Sequence, residues 1–368
     1  MKRILHVVGG MNRAGAETML INLFRHIDRT KFQFDFIYFT DKECDYDNDI
    51  LELGGRIFRI TTTNALAKMY QLYKILREKG PYLAIHSHTN YNSFMYHIPA
   101  CLVGVKNRIT HSHCSNSLYS KSRTGRAYLR VSERLNQWFS NRFIACGNAA
   151  GQFLFPKVDQ SKITILPNAL NLNTYINPDL NHFLSIRDSL SISSVTPLIV
   201  QIGRLSTVKN FDFTIDLAAY LKRIGKPYQF AFLGNGELWE ELSQKVNKLN
   251  LNDCIHFMGV REDIPQILNE ASCVIMPSLF EGFPVVLVEA QASGTPCLIS
   301  DTISEDVDFG LGLVHRCSLK ASFKDWDMAL DRVLNGLTAS KDKIKEVLTE
   351  KGFSVTKSVR QLEGIYGE

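Results

Sequence analysis

The sequence predicts an α/β protein of two β/α domains, and three observations carry that expectation. Strand-like apolar runs alternate with helical patterns along nearly the whole chain, the arrangement that builds parallel sheets. At 368 residues the chain exceeds the ~250–300 at which single cores tend to divide. A polar stretch at 171–190, NLNTYINPDLNHFLSIRDSL, interrupts the alternation without strand character. The joint is placed there: 1–180 is the first domain, 181–350 the second, and 351–368 a helical tail.

The first set opens with RILHVV as a strand, a Gly9–Gly15 loop and a helix over 16–25. Strand QFDFIYFT (33–40), an acidic loop and strand RIFRI (56–60) follow. A helix over 65–78 leads to strand YLAIHSH (82–88), a helix over 92–102 and strand RITHSH (108–113). RFIACG (142–147) and KITILPN (162–168) complete the set. The second set has strands ending at Gly203, at Gly234 and Gly236, at Gly259, and in the loop after ASCVIMPS (271–278).

Composition excludes several classes. Hydrophobic residues make up 45% and charged residues 21%, as in ordinary soluble proteins. No apolar run approaches the ~18 residues of a membrane span, and MKRILHVVGGMN reads as a strand and not as a signal peptide. The eight cysteines are scattered with no CxxC pair, which suits a reducing cytoplasm. Charge is uneven: 1–180 carries 23 Lys and Arg against 13 Asp and Glu, and the remainder 19 against 24.

The most informative stretch is PSLFEGFPVVLVEAQASG, 277–294. Glu281 lies in a loop, Pro284 is placed in the first turn of a helix, Glu289 lies on that helix, and Gly294 stops it. The first amides of such a helix, those of Phe283, Val285 and Val286, form a receptor for phosphate or hydroxyl groups. Upstream, VQIGRLSTVKN (200–210) is a strand, a glycine turn and a helix start, the phosphate-binding geometry of open α/β sheets. Arg204 offers a planar fork and Lys209 a mobile point charge, a pair suited to a diphosphate. The order of strands brings Arg204, Lys209, Arg261, Glu281 and Glu289 to one sheet edge, where ligands bind, and the Gly234–Gly236 turn is read as a sharp strand-to-helix bend near the nucleotide base. A nucleotide sugar carries both the phosphates and the hydroxyls that such an edge suits.

With these motifs, and with GGMNRAGAE (9–17), HSHCS (111–115) and ILPNALNLNTY (165–175), the chain resembles the retaining glycosyltransferases of family 4. The likeness is greatest to members that assemble capsular polysaccharides and exopolysaccharides. The resemblance implies the GT-B fold, two Rossmann-like domains facing each other across a cleft, with a C-terminal helix crossing back to the first. It implies that Glu289 binds the nucleotide ribose and Glu281 contacts the transferred sugar. It further implies that Arg204 and Lys209 hold the diphosphate, while Gly234, Arg261 and the Gly282–Phe283–Pro284–Val285 segment complete the donor site. On the other side it places His113 near the donor sugar, Gly15 in the loop that closes over it, and Gly10 and His88 toward the acceptor. Ala14 stands where a glycine is common, and Cys114 where an asparagine is frequent.

The implied activity is transfer of a hexose from a nucleoside diphosphate sugar, UDP first, to a glycan acceptor on a lipid carrier. No cofactor or metal is expected, because Arg204 and Lys209 can neutralise the leaving diphosphate. The location expected is cytoplasmic, peripheral at the inner face of the cell membrane. A nucleotide-sugar epimerase or phosphorylase of the same architecture is the rival enzyme, and a donor-binding subunit without activity is the other alternative.

Three further features need a reading. Arg123, Arg126, Arg130 and Arg134 recur at helical spacing, as do Tyr128, Val131, Leu135 and Trp138. This helix meets an anionic membrane surface or packs its apolar side on the sheet with arginines in water, and both hold if only the arginines touch lipid. Nucleic acid is not an expected partner, since no binding motif accompanies the charge. The run Asp45–Asp49 matches a DxD pattern, as do Asp306–Asp308 and Asp325–Asp327, and 45–49 is read as a solvated loop. His86/His88 and His111/His113 form two HxH pairs; each is read with its rings on opposite strand faces, so neither pair is expected to share an ion.

Overall fold

The computed structural model describes residues 1–113, 122–181, 184–336 and 339–367, and Cys114 lies outside them. The chain forms two compact units, 1–170 with 352–368, and 171–351. The joint is therefore at Leu170/Asn171, ten residues before the expected boundary. Segment 171–180, expected in the first domain, belongs to the second because Leu172 and Ile176 of the short helix Leu172–Ile176 are buried there.

The first unit is a seven-stranded parallel sheet: β1 Lys2–Val7, β2 Phe32–Tyr38, β3 Arg56–Arg59, β4 Tyr82–Ser87, β5 Asn107–Ser112, β6 Arg142–Ala145 and β7 Ile163–Ile165, in the order β3-β2-β1-β4-β5-β6-β7. Every residue of β2 is buried, as a parallel strand covered on both faces requires. One face packs the helix Gly15–His26 through Met19, Leu20, Leu23 and Phe24 against Phe34 and Phe36. The helix Val355–Gly367 covers the same face, with Val359, Leu362 and Tyr366 in that core. The opposite face packs Leu72, Leu76, Tyr96 and Ala100 against Leu5, Val7 and Ile85.

The acidic segment after β2 differs from the expected solvated loop. Asp47–Glu52 is a short helix, and Asp47 is buried and ion-paired with Arg59 at 2.5 Å. A partner 12 residues away lowers the cost of burying that carboxylate, and local composition gives no sign of it.

The second unit is a six-stranded parallel sheet: β8 Leu198–Ile202, β9 Gln229–Leu233, β10 Ile255–Gly259, β11 Cys273–Met276, β12 Cys297–Ser300 and β13 Val314–Cys317, ordered β10-β9-β8-β11-β12-β13. Its two faces carry separate cores, one around Phe211, Phe232 and Trp326, the other around Leu268, Leu287 and Ile299. The order reverses between β8 and β11, which makes their carboxyl ends the switch point where ligands bind in open sheets. Arg204, Lys209 and Glu281 all follow those two strands.

Candidate functional site

Gly203 ends β8 at φ +150°, and a Cβ there would meet Lys209 Cε at 3.1 Å. The lysine side chain thus lies back over the strand end. Gly234 at the end of β9 has φ +137°, and its Cβ would stand 2.0 Å from the Gly203 carbonyl oxygen. Only glycine fits such an approach at such a dihedral. Between these ends the chain turns twice, Gly203 donating to Leu233 and Leu205 to Asn235 through their backbones.

Lys209 is held from beneath. Its carbonyl accepts from the amide nitrogen of buried Gln201 at 2.8 Å, and Gln201 Oε1 accepts from the Thr214 hydroxyl at 2.6 Å. Asn210 follows in the left-handed region at φ 57° and donates from Nδ2 to the Pro277 carbonyl at 2.9 Å. The loop carrying Glu281 is thereby tied to the loop carrying Lys209, and the Leu279 amide adds a bond to the Val208 carbonyl at 2.8 Å. From the far side, Ser300 and Thr302 hydroxyls both donate to the Ser278 carbonyl at 2.7 Å. The result is an ion pair, Lys209 Nζ to Glu281 Oε1 at 2.7 Å, with side chains 21% and 12% exposed. A cation and an anion so little hydrated, at a strand switch point, can bind a diphosphate and a sugar hydroxyl side by side.

The helix of the acidic motif runs Val285–Ala292. Pro284 is its N-cap and not a residue of its first turn, with extended ψ 108° and no side-chain cap. The amides of Val285 and Val286 have no acceptor among the described residues, so a ligand or water must satisfy them. Phe283 packs its ring against the core of that face, and Gly282 is exposed. Glu289, one turn in, accepts from the Tyr175 hydroxyl at 2.8 Å. Burial pushes the Glu289 carboxyl above its ordinary value, and the Tyr175 bond acts in the opposite direction by favouring the ionised form.

The other predicted cations are placed differently. Arg204, 74% exposed, donates from Nε to Glu237 at 3.1 Å. Arg261 forks onto Asp263 at 2.8 and 2.5 Å within its own loop. Of the three, only Lys209 is joined directly to a motif acid.

In the first unit Gly10 sits against Cys44 and Thr40, with a Cβ position 3.1 and 3.3 Å from them. Gly15 is the first residue of the helix Gly15–His26, and Ala14 caps it at φ −144°, an extended conformation that needs no glycine. The paired histidines do not lie on opposite strand faces as expected. Residues two apart in a strand share a face, and His6, His86, His88, His111 and His113 form one stack on one side of the sheet. Ring centroids are 4.4 Å apart for His86/His88 and 4.0 Å for His111/His113. His88 Nδ1 lies 2.8 Å from His113 Nε2, and its Nε2 lies 3.1 Å from His6 Nδ1. Burial lowers all five; His113 is drawn down to about 4 and His6 to about 3. Burial thus favours the neutral, hydrogen-bonding form of His113.

The helix Arg123–Phe139 also departs from the packing reading. It is seated through Gly125, Ser132 and Asn136, whereas Val131 and Trp138 are 55% and 75% exposed, beside Arg130 and Arg134. Val131 and Trp138 thus face outward with the arginines, while Leu129, Leu135 and Phe139 are half-buried.

Residues 13–174 match the model of Glycosyltransferase Family 4, and residues 183–305 that of Glycosyl transferases group 1. EpsF of Bacillus subtilis (strain 168) is 37% identical over 99% of this chain and 96% of its own length. The chain belongs to glycosyltransferase family 4. Another relative of this family 4 glycosyltransferase is the UDP-Gal:alpha-D-GlcNAc-diphosphoundecaprenol alpha-1,3-galactosyltransferase of Escherichia coli. It is 24% identical over 99% of this chain and 96% of its own length. Anabaena HepE, solved with UDP and glucose, superposes with a TM-score of 0.79 at 20% identity, over 100% of both chains. The glycosyltransferase has the GT-B fold, with two Rossmann-like domains built on the seven- and six-stranded sheets.

Tyr175 and Gln201 are the residues the sequence reading missed. Both lie inside quoted motifs, ILPNALNLNTY and VQIGRLSTVKN, but Tyr175 is 114 residues from Glu289. No local spacing links them.

Proposed function

We propose that this glycosyltransferase moves a hexose from UDP-sugar, with retention of anomeric configuration, to a lipid-linked glycan in capsule or exopolysaccharide assembly. The observation that carries the donor half is the 2.7 Å Lys209–Glu281 pair beside open helix amides and a tyrosine-held Glu289. Lys209, aided by Arg204 swinging from its exposed contact with Glu237, stabilises charge on the departing diphosphate without a divalent cation there. Glu281 and the amides after Gly282 hold the sugar hydroxyls, and Glu289 takes the ribose. Among the described residues of this cluster Glu281 is paired with Lys209 and Glu289 is bonded to Tyr175, so neither carboxylate stands free as a covalent nucleophile, which favours front-face substitution with the leaving phosphate accepting the acceptor's proton. The first unit is assigned the acceptor. The E. coli relative named for a diphosphoundecaprenol substrate supports a lipid carrier, and the outward arginines and Trp138 support peripheral contact with an anionic cytoplasmic membrane face.

The decisive experiment combines a nucleotide-sugar panel with a lipid-diphosphate glycan acceptor and reads the anomeric configuration of the product. A glycosidic product of retained configuration is expected. An epimerised donor formed without acceptor would indicate the epimerase, and donor binding without any product the inactive subunit. Glu289→Ala should weaken donor affinity about tenfold or more, measured by calorimetry; unchanged affinity contradicts its ribose role.

A further inference from the structure

We propose that His88, His111 and His113 bind one imidazole-preferring transition-metal dication, zinc foremost, at the carboxyl ends of β4 and β5. One nitrogen from each ring lies within 4.8 Å of the other two, and the ring centroids are 4.0, 5.1 and 5.2 Å apart. Zinc–imidazole bonds of ~2.0–2.1 Å in a tetrahedron put ligand nitrogens about 3.3 Å apart. The 2.8 Å from His88 Nδ1 to His113 Nε2 needs to open only slightly to reach that spacing.

His111 is the residue that demands an explanation. It is wholly buried, and neither ring nitrogen has a partner among the described residues. Each such unmade bond costs ~1–3 kcal/mol, and buried polar groups of native proteins are rarely left so. His97, a buried histidine outside the stack, lacks a partner only at Nε2, its Nδ1 lying 3.0 Å from the Ser140 hydroxyl. A metal ion satisfies His111 and replaces the single proton shared by His88 and His113.

The surroundings suit the ion. Burial keeps the imidazoles neutral, the form that ligates. His6 Nδ1, 3.1 Å from His88 Nε2, fixes which nitrogen of His88 is free, as outer partners of metal-bound histidines do. Three imidazoles with no carboxylate favour zinc, nickel or copper over magnesium or calcium. The deeper triad His6, His86 and His88 is a poorer site, because His6 and His86 are both wholly buried, away from any route for an ion, and His86 has only Nε2 left to offer, its Nδ1 meeting the Tyr366 hydroxyl at 2.7 Å. His88 and His113 are partly exposed, which gives the ion a way in.

The test is titration of the untagged full-length chain, stripped with chelator, with cobalt(II), following its visible d–d absorption. One ion per chain with a tetrahedral, nitrogen-rich spectrum is expected. His111→Gln should weaken binding by more than the roughly 10–100-fold that outer-partner changes cost, and His97→Gln should leave it unchanged. X-ray absorption of the zinc-loaded wild type, expected to show three imidazoles, decides the matter should His111→Gln fail to fold. Absence of stoichiometric binding overturns the site. So does affinity indifferent to His111→Gln in a folded variant, a shell of oxygens only, or loss confined to His86→Gln.

Discussion

A lysine beside a glutamate is common on protein surfaces and worth little there. What distinguishes Lys209 and Glu281 is that the Lys209 backbone is fixed by Gln201, itself bonded to Thr214, and the start of the loop carrying Glu281, at Pro277 and Ser278, is fixed by Asn210, Ser300 and Thr302. A cation held in place before the reaction stabilises leaving-group charge without reorganising. Lys209→Ala should therefore lower kcat about 10²–10³-fold with a smaller change in donor affinity; equal losses in both would make it a binding residue only. Tyr175→Phe tests the other acid. Without the hydroxyl, burial acts unopposed on Glu289, its proton is held more tightly, and the ionised form that accepts ribose hydroxyls appears at higher pH. Donor binding should weaken roughly fivefold to tenfold near neutrality and recover as pH rises. A uniform loss at all pH values would point to packing instead. The acids and Lys209 were legible in the sequence because each sits in a compact motif. Tyr175 and Gln201 were not, because their meaning depends on long-range contacts and on which way a side chain faces inside the fold.

Among the elements, the strands and their order of appearance were readable wherever an apolar run ended at glycine, as at Ile202–Gly203 and Leu233–Gly234. The strands β12 and β13 were not singled out, although β3, β6, β7 and β11 are as short or shorter and were. Asp47–Glu52 was misjudged because its partner Arg59 lies beyond the window that composition surveys. The histidine stack departs from the expected opposite faces because strand alternation sets i and i+1 apart and brings i and i+2 together. The helix Arg123–Phe139 was right in pattern and unexpected in orientation. Its seat is made of small and polar residues, Gly125, Ser132 and Asn136, and this leaves Val131 and Trp138 with the arginines on the outside. Each arginine near an anionic bilayer contributes ~1 kcal/mol. Changing Arg123, Arg130 and Arg134 together to Gln should thus weaken binding to vesicles containing phosphatidylglycerol about 100-fold, with donor affinity unaltered. Equal vesicle binding by the variant would remove this helix as a membrane contact.

For the molecule as a whole, the buried imidazoles set an acid limit. Each binds its proton less tightly in the folded chain than in the unfolded one, with an ordinary value near 6.5 against about 4 for His113 and about 3 for His6 and His97. As pH falls through roughly 6.5 the unfolded chain takes up protons that the folded chain refuses, so stability drops. The loss continues until the folded-state values are reached. Calorimetry of chelator-treated protein between pH 7.5 and 5.5, where few carboxylates titrate, should show a steadily falling Tm; a flat profile would mean the stack is hydrated and titrates normally.

The return of the chain to its first sheet has a consequence for biosynthesis. The unit spanning 171–351 is continuous, but the other closes only when Val355–Gly367 lays Tyr366 over Phe32, Phe34 and His86. A ribosome therefore releases the later half in a state that can mature at once. The earlier half must wait with part of one sheet face, the part beside the helix Gly15–His26, uncovered until Val355–Gly367 emerges, and that interval is when a chaperone or a misplaced copy has its best opportunity to bind.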